Sequence, residues 1–215
     1  MGNITINARS SIRIEGTKII YFDPFKISDE RHDADIIFIT HEHFDHFSPE
    51  DIMKISNKQS KLIAPESMKE LVCEKVSSLV KDLIFISPQN PRGNHIVDTI
   101  LVKCVPAYNV DKPFHLKESN WVGYVVTMDG ETYFIAGDTD ENIDNNQVEC
   151  DVFLVPCGGK YTCDAMQAAA FTQKIGPRKA IPTHYTDIAG DSEIGMRFKE
   201  EVLKFVPDME VDILI

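Results

Sequence analysis

The chain has 215 residues, of which 43% are hydrophobic and 26% charged, and its formal net charge is −12. This length suits a single domain with a substantial core, expected here over residues 1–215. The acidic balance argues against nucleic acid as a partner, because binding to a phosphate backbone needs a basic face. It does not exclude a small anionic substrate, because bound divalent ions would reverse the local field.

The beginning of the chain has no charged stretch followed by an apolar one, and no segment approaches the roughly 18 apolar residues of a membrane span. We therefore expect a soluble, cytoplasmic protein without a membrane partner. The five cysteines are scattered and odd in number, which is not the pattern of a disulfide framework. The sequence leaves the oligomeric state open.

The predicted elements begin with short strands and continue as an alternation of strands and helices. Alternating or continuous apolar residues predict strands over 3–8, 11–15, 18–22, 36–39, 61–64, 82–87, 99–107, 121–128, 131–136, 152–155, 179–182 and 209–215. Helices are predicted over 49–56, 66–80, 164–175 and 192–205, with Ser48 as the N-cap of the first. Loops are predicted over 88–93 and 111–120. This alternation predicts a sheet with helices packed against an outer face.

The chain is organised around residues 39–46, which follow an apolar run. Within six positions this stretch holds three histidines and two carboxylates: His41, Glu42, His43, Asp45 and His46. Imidazole and carboxylate are ligands suited to Zn, Mn or Fe. On an extended segment His41 and His43 project to the same side, whereas Asp45 and His46 reach a second point if the chain turns there. The zincin motif is excluded, because the residue four after His41 is not a histidine.

The spacing H-x-H-x-D-H resembles the signature of the metallo-β-lactamase fold superfamily of metal-dependent hydrolases. Its small single-domain members of the lactonase-like and phosphodiesterase-like branch are similar in length. The resemblance implies an α/β fold, namely a four-layer αββα sandwich. It also implies two divalent ions, with Zn preferred and Mn or Fe as alternatives; a centre with a single ion is a further alternative. It also assigns the ligands: His41 and His43 to the first ion, Asp45, His46 and His184 to the second, and Asp138 as a bridge between them.

The later candidate ligands stand at strand ends independently of the resemblance. Asn109, Asp138 and His184 each come directly after a predicted apolar strand, as the histidine-rich stretch does. In open α/β sheets ligands bind at the carboxyl ends of the strands. We therefore expect these groups to lie on one edge.

Two positions depart from the pattern of the superfamily. Many members supply a histidine where this chain has Asn109, and an amide is a poor ligand for a borderline ion. His115, in the long loop, either completes the first site or contacts substrate; otherwise the first site is weak and one ion suffices. Members also often keep a histidine within the segment corresponding to residues 7–10, and this sequence has none there. Asp23 is either a turn residue or the partner of a ligand histidine.

The leading hypothesis is a metal-dependent hydrolase that uses a metal-activated hydroxide on a small ester, lactone or phosphodiester. Asp45 is expected to orient the hydroxide, and Tyr161, Lys160 or His115 to stabilise the developing oxyanion or protonate the leaving group. One alternative is a di-iron oxidoreductase of the same superfamily. Those members resemble H-x-E-x-D-H, with a carboxylate where this chain has His43. The other alternative is a non-catalytic metal-binding protein.

Overall fold

The computed structural model describes residues 2–88, 95–186 and 192–215, and its strands form two sheets. The first sheet contains β1 (Asn3–Ala8), β2 (Ser11–Glu15), β3 (Ile19–Phe22), β4 (Ile36–Phe38), β5 (Lys61–Pro65) and β6 (Asp82–Ile86), in that spatial order. The second contains β7 (His95–Val97), β8 (Ile100–Pro106), β9 (Val122–Met128), β10 (Glu131–Ile135), β11 (Val152–Pro156), β12 (Lys179–Thr183) and β13 (Glu210–Val211), also in sequence order. In both sheets an antiparallel meander is followed by parallel strands.

Helices cover the outer face of each sheet. The helices are α1 (Pro49–Ile55), α2 (Lys69–Val76), α3 (Ala165–Ile175) and α4 (Ser192–Phe205). A buried apolar cluster joins α1 and α2 to the first sheet, with Ile52 and Val72 packed among residues such as Leu62. A second cluster joins α3 and α4 to the second sheet through Phe171 and Phe198. Within the described ranges, no helix combines the length and apolar character that a membrane crossing requires.

The inner faces of the two sheets meet in the largest apolar cluster. Side chains alternate between faces along a strand, so Ile20 and Phe22 of β3 point into this cluster while Tyr21 between them packs on the helix side. From the second sheet Tyr124 and Leu154 enter the same layer. The order helix, sheet, sheet, helix confirms the predicted four-layer αββα sandwich.

Parallel strands bring the candidate ligands to one end of the sandwich. Strands β8 and β10 both run antiparallel to β9, and β10 runs parallel to β11 and β12. The carboxyl ends of β8, β10 and β12 therefore lie at the same edge of the second sheet. The backbone N–H of Val122 donates to the carbonyl of Thr40 at 3.2 Å, which joins this edge to the chain leaving β4 in the first sheet.

Three elements depart clearly from the prediction. The helix predicted over 66–80 consists of a 3₁₀ turn, Glu66–Met68, followed by α2, which ends at Val76 because Ser77 and Ser78 are weak helix formers. Strand β7 was not predicted, and its three residues pair with β8. The last strand pairs only over Glu210–Val211. The predicted loop over 88–93 lies, except for Pro88, outside the described residues.

Candidate metal centre

Candidate metal ligands converge at the joined ends of the two sheets. Ligand atoms within 4.8 Å of one another form three sets: His41, His43 and His115; His41, His46 and Asp138; and Asp45, His46 and His184. We call the set His41, His43 and His115 the first group, and the set Asp45, His46 and His184 the second group. The carboxylate of Asp138 lies between them, with its oxygens 3.3 Å from His115 Nε2, 3.4 Å from His46 Nε2 and 3.2 Å from His184 Nε2.

A tight turn after β4 supplies ligands to both groups. The carbonyl of His43 accepts from the backbone N–H groups of His46 and Phe47, both at 2.9 Å. The chain therefore reverses after His43, and Asp45 and His46 face back toward the sheets. Ser48 then caps α1, its hydroxyl accepting from the N–H of Asp51 at 3.2 Å, as predicted.

Asn109 forms hydrogen bonds to His115 through its amide oxygen. Its Oδ1 accepts from the backbone N–H of His115 at 3.1 Å and lies 3.0 Å from the ring Nδ1. An amide oxygen can only accept, so Nδ1 carries a proton and Nε2 is the ring nitrogen that faces Asp138. The Nδ2 of Asn109 donates to the carbonyl of Tyr161 at 2.9 Å and to Asp140 at 3.2 Å. The amide therefore fixes the orientation and tautomer of His115.

Asp23 orients two histidines of the candidate centre, His46 directly and His41 through Thr40, so its role is not only that of a turn residue. Its carboxylate lies 2.8 Å from His46 Nδ1 and accepts from the Thr40 hydroxyl at 2.7 Å. Because that hydroxyl gives its proton to Asp23, its oxygen accepts from His41 Nδ1 at 2.9 Å. Both rings therefore keep Nδ1 protonated and turn Nε2 toward the centre, so Nε2 is the nitrogen with which each would bind a metal.

Buried charges shift the protonation equilibria of the centre. Burial alone would raise the pKa of Asp138, but His184 and His46 hold it well below the usual value. Burial likewise opposes the charged form of His46, but Asp138 and Asp23 raise its pKa well above the usual value. Burial lowers the pKa of His41 well below 6.5 and that of His43 below it too. An ionised Asp138 and neutral His41 and His43 are the forms that bind metal.

The residues fit a divalent ion, and the fit rests on their unsatisfied atoms. Three buried atoms that face one another have no hydrogen-bond partner among the described residues: His46 Nε2, His115 Nε2 and Asp138 Oδ1. A buried polar atom left in this way costs about 1–3 kcal/mol. A cation between them would be held by these three atoms, with His46 giving up its Nε2 proton, and the mixture of imidazole and carboxylate suits Zn, Mn or Fe.

A cavity of about 400 Å³ opens onto the centre. It is lined by Arg9, His43, Phe44, Asp45, Pro113, Phe114, His115, Asp138, Tyr161 and His184. The three predicted catalytic residues, Asp45, Tyr161 and His115, thus all border it. Lys160 is exposed and lies outside this lining, with its Nζ 4.8 Å from the centroid of the Tyr161 ring.

Two residues of the site were missed by the sequence reasoning. Trp121 packs its ring against the whole first group, with centroids 5.0 Å from His41, 4.9 Å from His43 and 5.6 Å from His115. Its position at the end of the long loop was the available signal. Arg9 is buried beside Asp45, in the segment that lacks the histidine common in the superfamily. That gap pointed to the segment but not to the arginine.

A four-layer αββα sandwich with a cluster of histidines and aspartates at one end is the structure of metal-dependent hydrolases of the metallo-β-lactamase class. The model of the beta-lactamase superfamily domain matches residues 2–185, and the chain belongs to this family. The resemblance drawn from H-x-H-x-D-H is thereby confirmed.

Similar proteins agree with this membership. A UPF0173 metal-dependent hydrolase from Thermococcus kodakarensis is 29% identical, and the match covers 99% of this chain and 100% of that protein. A UPF0173 metal-dependent hydrolase from Saccharolobus solfataricus is 31% identical, and the match covers 75% of this chain and 70% of that protein. The crystal structure of a protein described as a metal-dependent hydrolase, from Parabacteroides distasonis, superposes with a TM-score of 0.80 at 27% identity, covering 98% of this chain and 91% of that one. This chain is thus an enzyme of the metal-dependent hydrolase type.

Proposed function

We propose that the protein hydrolyses a small ester, lactone or phosphodiester with two divalent ions, zinc by preference. The first group would hold one ion and the second group the other, with Asp138 shared between them. The observation that carries this proposal is the convergence of unsatisfied, buried Nε2 atoms from His46 and His115 on Asp138. A bound ion of this kind lowers the pKa of water from about 15.7 to about 7 and polarises a carbonyl or phosphoryl oxygen.

The chain's own residues supply orientation and proton handling. Asp45 Oδ2 lies 3.2 Å from His184 Nε2 and borders the cavity, so it is placed to accept a proton from an attacking water. Burial would raise the pKa of Asp45, but His184, His46 and Arg9 together hold it below the usual value, which keeps the carboxylate ionised. Tyr161 and His115 border the same cavity and would stabilise the oxyanion or protonate the leaving group.

The apolar walls of the cavity favour a small substrate over a polymer. Phe44 and Phe114 are 63% and 40% exposed and flank its opening, and Phe114 packs edge-on against Tyr161 at 4.8 Å. Cavities of roughly 300–1,000 Å³ with such walls hold small molecules. Together with the acidic net charge, this supports a small-molecule substrate and no nucleic-acid partner. A cytoplasmic location stays a prediction.

The test is a substrate panel on protein loaded with Zn, Mn or Fe and compared with chelated protein. We expect metal-dependent hydrolysis of at least one p-nitrophenyl ester, aliphatic lactone or p-nitrophenyl phosphodiester. The variant His184→Ala should lose that activity and keep its circular dichroism spectrum. Metal uptake without turnover on the whole panel would favour the non-catalytic metal-binding alternative. Stoichiometric iron with an oxo-bridged absorption band, in protein purified without added metal, would favour the di-iron oxidoreductase.

A further inference from the structure

Arg9 is a buried cation at the wall of the candidate metal centre. It lies in the turn between β1 and β2 and is 4% exposed. Its backbone adopts φ +49°, a left-handed conformation that costs an ordinary residue energy and concentrates at functional sites. The carbonyl of Arg9 accepts from the backbone N–H of His184 at 3.1 Å. The turn is therefore fixed against the second group, and the Arg9 side chain is held at the cavity.

The guanidinium is only partly satisfied there. Its Nη1 donates to Asp45 Oδ2 at 2.5 Å. Its Nε is buried and has no hydrogen-bond partner among the described residues. A guanidinium binds a carboxylate or phosphate most strongly through two parallel N–H groups, so this one retains unused capacity for such a group.

The charge of Arg9 is also incompletely compensated. Asp45 Oδ2 is shared with His184 Nε2 at 3.2 Å and lies 3.6 Å from His46 Nε2. If Asp45 also binds the second ion, as proposed above, its negative charge is divided between that ion and the guanidinium. The cavity wall then carries an excess of positive charge, although the protein as a whole is acidic.

Aromatic rings hold the guanidinium in place beside the apolar part of the cavity. Its central carbon lies 5.5 Å from the ring centroids of both Phe25 and Phe44, within the distance of a cation–π contact. Phe44 itself packs edge-on against Phe25 at 5.9 Å. A ligand that reaches the centre therefore meets a cation and an exposed apolar ring side by side.

We propose that Arg9 is a substrate-recognition residue and that the substrate is an anion. Its oxyanion, a carboxylate beside the scissile bond or the phosphoryl oxygens of a phosphodiester, would bind the guanidinium, and its apolar part would contact Phe44 and Phe114. This inference rests on the proposed hydrolase function and narrows its substrate class from neutral or charged compounds to anionic ones. The substitution Arg9→Lys would keep the positive charge but lose the paired N–H donors that bind an oxyanion.

The first experiment measures binding, without turnover, to zinc-loaded protein by calorimetry. The probes are 3-phenylpropionate, its neutral amide 3-phenylpropanamide, and phenylphosphonate. We expect both anions to bind about tenfold or more tightly than the amide, and Arg9→Gln to remove most of that preference. Arg9→Lys should keep part of it. The matched control is Arg178→Gln, which removes an exposed arginine that pairs with Glu131 and Glu210 away from the cavity.

The second experiment measures kinetics with three substrates: mono-p-nitrophenyl glutarate, neutral p-nitrophenyl butyrate and bis(p-nitrophenyl) phosphate. In Arg9→Gln we expect KM for whichever anionic substrate is turned over to rise about tenfold more than KM for the neutral ester, whereas any effect through Asp45 lowers kcat equally for both. The carboxylate and phosphodiester arms identify which oxyanion Arg9 recognises. Metal content, measured by elemental analysis, should be unchanged.

The outcomes separate this inference from the hydrolase proposal. Equal binding of anion and amide by the wild-type protein would overturn the role of Arg9 even if no variant folds. Loss of metal, or an equal fall in kcat for charged and neutral substrates, would show that Arg9 only holds Asp45. Arg9-dependent anion binding without hydrolysis of any substrate would refute the proposed ester and phosphodiester chemistry and keep the recognition site.

Discussion

Asp138 is the residue on which the two groups of candidate ligands meet. It is 4% exposed and contacts His115 on one side and His46 and His184 on the other. Its place after β10, next to Gly137, is fixed by the second sheet. Removing this one carboxylate should therefore affect both groups at once.

We expect Asp138→Ala to lose both ions, because each would be left with ligands from one group only. Elemental analysis after dialysis should fall from about two zinc ions per chain to below one. Asp144→Asn is the matched control, since Asp144 is an exposed aspartate that pairs with Lys117 away from the centre. Full zinc content in Asp138→Ala would show that this carboxylate does not bridge the ions.

Asn109 influences the candidate metal centre through His115, and its amide oxygen makes this contact by accepting the hydrogen bond. We expect Asn109→Ala to weaken the ion of the first group by about 10- to 100-fold, the usual effect of removing the partner of a ligand histidine. Asn109→Asp retains an acceptor for His115 Nδ1 but sets a second carboxylate against Asp140, so it is combined with Asp140→Asn, and this double variant should lose far less. Competition for zinc with a chromogenic chelator measures both. If Asn109→Ala binds both ions like the wild type, the hydrogen bond to His115 has no role in metal binding.

At the scale of elements, the end of β10 depends on a close approach to the first sheet. Gly137 has φ +67°, and a Cβ there would lie 3.1 Å from the carbonyl oxygen of Val122 and 3.3 Å from the Thr40 side chain. Thr40 precedes the histidine-rich turn, and Val122 begins β9. The glycine therefore allows the two sheets to bring their ligands together.

We expect Gly137→Ala to destabilise the fold by about 1–3 kcal/mol and to reduce metal binding. Its control is Gly130→Ala in the β9–β10 turn, where φ is +79° but a Cβ would meet nothing within 4 Å. That variant should show only the backbone cost, with metal content unchanged. Urea unfolding and elemental analysis on both proteins provide the measurement, and identical metal content in the two would contradict the account of Gly137.

At the scale of the molecule, the apolar core between the sheets is separate from the metal centre. Residues such as Ile14, Phe38 and Val126 form that core. The ligands lie on segments that follow strands. The fold should therefore form without metal, unlike small zinc domains whose folding requires the ion.

We accordingly expect removal of metal by EDTA to leave the far-ultraviolet circular dichroism spectrum intact and to lower the unfolding temperature. An ion present at about a thousand times its Kd stabilises the folded state by about 4 kcal/mol, which chelation would remove. Restoring zinc should restore the unfolding temperature. Cooperative unfolding at 25 °C on adding EDTA alone would mean that the centre holds the sheets together.

The sequence by itself determined the layers and most of the centre, because both are encoded locally. Period-two alternation in β1 and β2 predicts which residues enter the core, and the H-x-H-x-D-H spacing after β4 reflects one short turn. Candidate ligands such as Asp138 and His184 could be predicted because parallel strands end at one edge. Helix α2 ended earlier than predicted, since apolar spacing alone did not register the two serines that follow it.

Only the tertiary structure decided which residues form hydrogen bonds or ion pairs with those candidate ligands. Asn109 orients His115 through a hydrogen bond whose geometry depends on the path of a six-residue loop segment. Arg9 reaches Asp45, 36 positions away, and its carbonyl meets His184 near the other end of the chain. Sequence patterns report the spacing of neighbours along one element. Contacts between turns of different sheets depend on how those sheets pack, so they become visible only when the chain is folded.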